Sequence, residues 1–252
     1  MKKPYIKKFS KIANFTVWIV DGKYIRENLD EEFSNYGQHY HFKFIPENEF
    51  WIDKERVPGE EKYYIDSMLV MNRLMAKGVE HDKAVVRADM VEKRERAKEH
   101  LIKKGYEAKE TAEEEIKHIH KKLLKKYSSK NIKVWIVNGE SVRDIFFLDF
   151  TEGGHGFVYP FIPKDEIWID DDVEPNEIKF ILLHELHERN LMKKGWAYAF
   201  DEFTPLEIKK SSETKKIKKS AHFDSARLEY YCRKHPNETE KKIREEIKKA
   251  SK

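Results

Sequence analysis

Cysteine is almost absent: the 252 residues contain one, Cys232. That excludes a disulfide framework within the chain and any zinc ribbon built from cysteine pairs, and it suits a reducing cytoplasm. Long apolar runs are missing as well. None approaches the roughly 18–20 residues that span a bilayer, so no membrane-crossing segment is expected. The basic start, Met1-Lys2-Lys3-Pro4-Tyr5, leads into no apolar stretch, so no secretory signal is expected. Neither charge sign dominates, with 50 Lys and Arg against 46 Asp and Glu and a formal charge of +4. There is no Gly-rich phosphate loop, no Gly-x-Ser-x-Gly elbow and no Cys/His nucleophile pair. Helix-turn-helix, ribonucleoprotein and zinc-finger patterns are also missing.

The residues present point to a folded protein. Fifteen Phe, 12 Tyr and 5 Trp supply a core that a disordered chain would lack. The abundance of Lys and Glu leans towards a thermophile. An internal repeat organises the chain. Shifted by 117 residues, Val17-Trp18-Ile19-Val20 falls on Val134-Trp135-Ile136-Val137, and Gly22, Arg26, Phe33 and Gly37 fall on Gly139, Arg143, Phe150 and Gly154. Phe44-Ile45-Pro46 falls on Phe161-Ile162-Pro163, and Trp51-Ile52-Asp53 on Trp168-Ile169-Asp170. The 37 pairs from Val17 to Asp53 contain 15 identities. The register continues through Leu69/Leu186 and Gly78/Gly195. The chain is therefore read as a tandem duplication.

In each copy the Val-Trp-Ile-Val run reads as a strand, and Asp21-Gly22 or Asn138-Gly139 as a hairpin turn. A Trp-Ile-Asp strand follows. A helix comes next, over Glu60 to Lys77 or Glu177 to Lys194, and ends at glycine. The fold class expected is α+β: two lobes, each a small antiparallel sheet with helices. Lobe 1–128 carries a charged helical extension at about 82–126, broken at Gly105-Tyr106. Lobe 129–252 carries a polar insertion, Asp201 to Ser220, then a helix from about Ala221 to Arg233 stopped by Pro236.

The chemistry lies where the copies differ. The second copy holds His184-Glu185-Leu186-His187-Glu188-Arg189 within its helix. Residues three and four apart share a helix face, so His184 converges with His187 or with Glu188. Glu185 projects about 100° round from His184. His222 and Glu229 lie seven apart, on one face of the next helix. The first copy has Ser67, Met68, Val70 and Met71 in place of His184, Glu185, His187 and Glu188, and Val85 opposite His222 once the insertion is set aside. Three of those first four counterparts are apolar, so this face packs inward. Imidazoles and carboxylates on such a face are costly unless paired or bound to metal. The bland alternative is a solvated helix face with local pairs such as Glu185–Arg189.

The helical His-Glu pair, a ligand one turn later and another from a later helix resemble the zincin metallopeptidases, whose pattern is His-Glu-x-x-His. Here position i+4 holds Glu188, an HExxE variant, and the resemblance covers about 45 residues of the 252. It implies a zinc or other divalent ion on His184, Glu188 and His222, with Glu185 as catalytic base and a peptide or protein substrate. His187 enters as an i+3 ligand, a second-layer residue or an oxyanion stabiliser, and Glu229 as an alternative ligand or the group orienting His222. The zincin pattern also implies a substrate-binding edge strand, which falls on Phe157 to Ile162. The stretch from Gly153-Gly154-His155 to His184-Glu185 is similar to small uncharacterised phage or archaeal-virus proteins, which brings no activity with it.

The remaining candidates are weaker. His155 reads as a flexible-turn residue, with a ligand or second-layer role as the sharper alternative. His118 and His120 sit two apart and read as surface. Asp53 and Asp170 read as strand-end or capping residues, and Cys232 as a buried small residue. The rival from another class is a non-enzymatic interaction protein with at most a structural metal. Its nucleic-acid contact would run through Lys209, Lys210, Lys215, Lys216, Lys218 and Lys219.

Overall fold

The structure is a computed structural model that describes residues 4–56, 58–104, 116, 118–148, 150–198 and 220–250. Residues 201–219 of the insertion, with its six candidate lysines, lie outside the described residues. The chain forms two compact units: Met1–Glu110 with Arg143–Asp149, and Thr111–Val142 with Phe150–Lys252. The division falls before the expected boundary at Ser128, because the strand His120–Leu123 belongs to the second sheet. The class is α+β, and no described helix is long and apolar enough to cross a membrane.

The first unit contains β1 (Tyr5–Ile12), β2 (Phe15–Val20), α1 (Gly22–Asn28), β3 (Tyr36–Gln38), β4 (Glu49–Asp53), α2 (Glu61–Met75) and α3 (His81–Lys104). Its sheet has the order β1-β2-β4-β3. The second unit contains β5 (His120–Leu123), a 3₁₀ turn at Lys125–Tyr127, β6 (Lys133–Val137), β7 (Gly153–His155), β8 (Glu166–Asp170), α5 (Ile178–Lys193), α6 (Ala221–Lys234) and α7 (Thr239–Ala250); the helix α4 (Gly139–Ile145) spans the division. The second sheet repeats the order as β5-β6-β8-β7.

Both sheets are mixed, which corrects the antiparallel reading. β2 runs parallel to β4, and β6 parallel to β8. The Asx-Gly pairs turn no hairpin: each opens a short helix that starts the crossover to the parallel strand. Asp21 caps α1 by accepting from the Tyr24 backbone N–H. Gly22 donates its own N–H to Asp53 Oδ1 at 3.0 Å. A Cβ there would lie 1.6 Å from Asp53 Oδ2, and one on Gly139 2.0 Å from Asp170 Oδ1. Glycine is kept for that close approach between carboxylate and backbone.

Strand alternation sends successive side chains to opposite faces. In the first unit, Val17, Ile19, Phe50 and Ile52 pack against Tyr64, Ile65, Met68 and Leu69 of α2. The other face, through Val20 and Trp51, meets Ile25 of α1 with Phe33, Phe42 and Ile45. In the second unit, Val134, Ile167 and Ile169 pack against Ile181, Leu182, Leu183 and Leu186 of α5, with Cys232 of α6 and Ile243 of α7. Cys232 is indeed buried and free.

The charged extension also departs from expectation. α3 is helical as far as Lys104, but His120–Leu123 is a strand. His120 is no surface residue. Its ring stacks 4.3 Å from Trp135, and its Nε2 lies 2.9 Å from Glu166 Oε2, which also accepts from Trp168 Nε1. Tyr5 holds the same station in the first unit, between Trp18 and Trp51, with its hydroxyl donating to Glu49 Oε2. β5 thus repeats β1, with an offset of two residues from the 117-residue register.

A candidate metal centre in the second unit

α5 runs for 16 residues, with a Leu/Ile face on the sheet. The same helix carries His184 and Glu188, one turn apart, which meet Glu229 and His222 of α6. His222 enters from the first turn of α6, which begins where the Ser220 hydroxyl accepts from the Phe223 N–H. Three ligand atoms come together. Glu188 Oε2 lies 3.0 Å from His222 Nδ1 and 3.5 Å from His184 Nε2, and the two nitrogens are 3.2 Å apart. A tetrahedral zinc with bonds of about 2.0–2.1 Å would set its ligand atoms about 3.3 Å apart. The donor set, two imidazole nitrogens and one carboxylate oxygen, is one that zinc takes.

The surroundings orient each ligand. His184 Nδ1 bonds Glu229 Oε2 at 2.9 Å, which fixes the tautomer and turns Nε2 to the centre. Glu229 Oε1 accepts from Arg233 Nε at 2.9 Å, and Arg233 Nη1 donates to Glu177. Glu229 is therefore the partner of His184 and not of His222. Glu188 Oε1 lies 3.1 Å from His155 Nε2. His155 is fully buried at the end of edge strand β7, not in a flexible turn. The segment after it, Phe157 to Ile162, consists of turns, so the expected edge strand is β7.

His187 faces elsewhere. Its Nδ1 lies 3.0 Å from Glu246 Oε1 on α7, and its Nε2 3.2 Å from Asp224 Oδ2 on α6. The choice left open between His187 and Glu188 falls to Glu188 as the residue that shares a ligand group with His184. Glu185 joins Glu188 and His155 in a second group, whose ligand atoms lie within 4.8 Å of one another.

The electrostatics follow from burial and pairing. Burial and the neighbouring Glu188 carboxylate push Glu185 up to about 7, against the pull of the three histidines. Burial also opposes ionisation of Glu188, but hydrogen bonds from His155, His184 and His222 outweigh it and hold the carboxyl well below its ordinary range. His184 is raised well above the usual imidazole value: burial disfavours its charge, yet Glu188 and Glu229 prevail. Glu229 is held at about 2 by Arg233 and His184 in spite of burial.

The first unit shows what the scaffold looks like without these ligands. Ser67 and Met68 are buried on α2, as is Met71. Buried Gln38 stands at the strand position of His155, and its Oε1 accepts from Asn72. The Glu–Arg–Glu clamp is nevertheless present. Arg96 donates to Glu92 at 3.0 Å and to Glu60 at 2.7 Å, and its guanidinium lies over Tyr63. Arg233 does the same with Glu229, Glu177 and Phe180. Glu92 also bonds Ser67, as Glu229 bonds His184. The clamp residues on α3 and α6 correspond at an offset of 137. That exceeds 117 by 20, the length of the Asp201–Ser220 insertion. Reading the sequence at this second offset would have exposed the Glu92/Glu229 and Arg96/Arg233 pairs.

Comparison of the chain with protein-family models, curated proteins and solved structures returns no match.

Proposed function

We propose that the second unit is a zinc-dependent hydrolase of zincin-like type, most simply a peptidase, and that the first unit is its metal-free scaffold copy. The observation that carries this is the triangle of His184 Nε2, Glu188 Oε2 and His222 Nδ1, with sides of 3.0–3.5 Å. A bound zinc supplies Lewis acidity and an acidified water. His184, Glu188 and His222 hold it, with Glu229 keeping His184 in the ligating tautomer. Glu185 is the proton acceptor. Its carboxylate lies beside Glu188, and a half-buried carboxyl raised towards neutrality suits a general base near pH 7. It takes a proton from the attacking water and returns it to the leaving amine. β7, at the sheet edge, is where an extended peptide would lie. The single buried cysteine suits a reducing cytoplasm as the setting.

A metal that only pins α5 to α6 is the competing reading. Structural zinc sites usually close with four protein ligands, whereas this group comprises three among the described residues, which favours an open, reactive position. The test is Glu185→Gln, assayed for zinc content and for cleavage of a peptide library. Retained zinc with lost cleavage supports the hydrolase, and a wild type that holds zinc but cleaves nothing leaves the pinning role.

A further inference from the structure

We infer that His155 is a positioning residue that keeps Glu188 a one-oxygen donor and limits the centre to a single metal ion, an inference that rests on the metal reading above. By distance alone, His155, Glu185 and Glu188 form a second ligand group that shares Glu188 with the first. Two ions bridged by Glu188 would then fit the spacing. Hydrogen bonding decides against this arrangement.

The Phe157 N–H, in the turn after β7, donates to His155 Nδ1 at 3.2 Å. A neutral imidazole that accepts at Nδ1 carries its proton on Nε2. That proton lies along the 3.1 Å contact to Glu188 Oε1. Nε2 therefore has no lone pair for a metal. To provide one, the proton would have to move to Nδ1, where it would face the Phe157 N–H. Two donors opposed in a fully buried setting leave both unsatisfied, which is costly.

The turn is poorly placed to relieve that conflict by moving. The His155 carbonyl accepts from the N–H groups of Val158 and Tyr159, both at 3.0 Å. A Cβ on Gly156 would lie 2.4 Å from the Ile162 carbonyl oxygen, so this part of the chain is closely packed. Glu188 Oε1 is thus occupied by His155, and only Oε2 is turned to His184 and His222. The first unit agrees. Where Met71 replaces the carboxylate, Gln38 replaces the imidazole and turns its own oxygen to Asn72. The second copy has both the histidine and the carboxylate, and the first has neither.

The test is metal binding by the full-length protein, with His155→Leu and His155→Gln beside the wild type. Zinc stoichiometry and affinity are read by titration against a chromophoric chelator, and coordination by the visible absorption of the Co²⁺-loaded forms. The wild type should take one ion. His155→Leu should weaken zinc about 10–100-fold, the usual cost of losing a group that holds a ligand, and should dim the Co²⁺ bands as the freed Oε1 joins the coordination. His155→Gln, whose amide can still donate to Oε1, should recover most of both properties. If His155→Leu does not fold, His155→Met, which also lacks a donor, is read in its place. Two ions in the wild type, falling to one in His155→Leu, would overturn the inference, as would unchanged affinity and spectrum. A wild type that takes no metal would overturn the ligand assignment itself and the role of His155 with it.

Discussion

Arg233→Leu removes the cation from the buried clamp and leaves Glu229 and Glu177 facing an apolar side chain. The size of the effect follows from Glu229. Its carboxyl has an ordinary value of 4.5 and stands at about 2 in the folded protein. That drop, at 1.36 kcal/mol per pH unit, is about 3 kcal/mol of stabilisation at neutral pH, shared between Arg233 and His184. The depressed value means that this stability is present above about 4.5 and is lost as pH falls through about 2. Without Arg233, Glu229 keeps only His184 against the cost of burial and its folded value moves upward, so the variant's loss is greatest at neutral pH and eases in acid. Breaking one partner out of a buried pair costs about 3–5 kcal/mol, in line with the Glu229 figure. Urea unfolding of the metal-free protein at pH 7 should show a loss of about 3–5 kcal/mol, and the gap to wild type should narrow steadily as pH is lowered from 7 through 4 towards about 2. A loss below about 1 kcal/mol, or a gap that does not change with pH, would refute the clamp as the element holding α6 on α5.

Three further outcomes follow. His187→Ala should keep zinc, because His187 bonds Glu246 and Asp224 and lies outside the ligand triangle; its cost should appear as a lowered unfolding midpoint, and zinc loss in a folded variant would contradict that placement. Zinc affinity should rise from pH 6 to pH 8, because His184, raised well above 6.5 by Glu188 and Glu229, must give up a proton to bind; the protonated form adds stability below about 6.5 that is lost as pH rises through the raised value, and calorimetry in buffers of different ionisation heat counts the released proton. Gly22→Ala should destabilise the first unit by well over 1 kcal/mol in thermal unfolding, since the added Cβ would sit 1.6 Å from Asp53 Oδ2.

Much of this was legible in the sequence, and the misses have physical causes. The 117-residue offset located both sheets and the first long helix of each unit, because the Trp-Ile and Val-Trp-Ile-Val runs sit at the buried centre of the sheet. Burial of Ser67, Met68 and Met71 bears out the inward face inferred from the first copy. The hairpin reading failed because Gly22 and Gly139 meet aspartates 31 residues on in sequence, a contact that no local rule contains. β5 was missed because Tyr5 and His120 fill one station with different chemistry and a two-residue slip. The role of Glu229 was obscured by the insertion, which moves α6 out of the 117-residue register. His155, in a Gly-rich stretch, had only its neighbours to speak for it; its partner Glu188 lies 33 residues away.

The central claim is that α5 and α6 of the second unit hold one metal ion, and elemental analysis of protein purified without an affinity tag tests it most directly. The wild type should carry about one zinc per chain, and the paired substitution His184→Ala with His222→Ala should carry none while the first unit stays folded. A wild type that takes up no metal even when zinc is supplied, or a double variant that keeps its ion, would contradict the account.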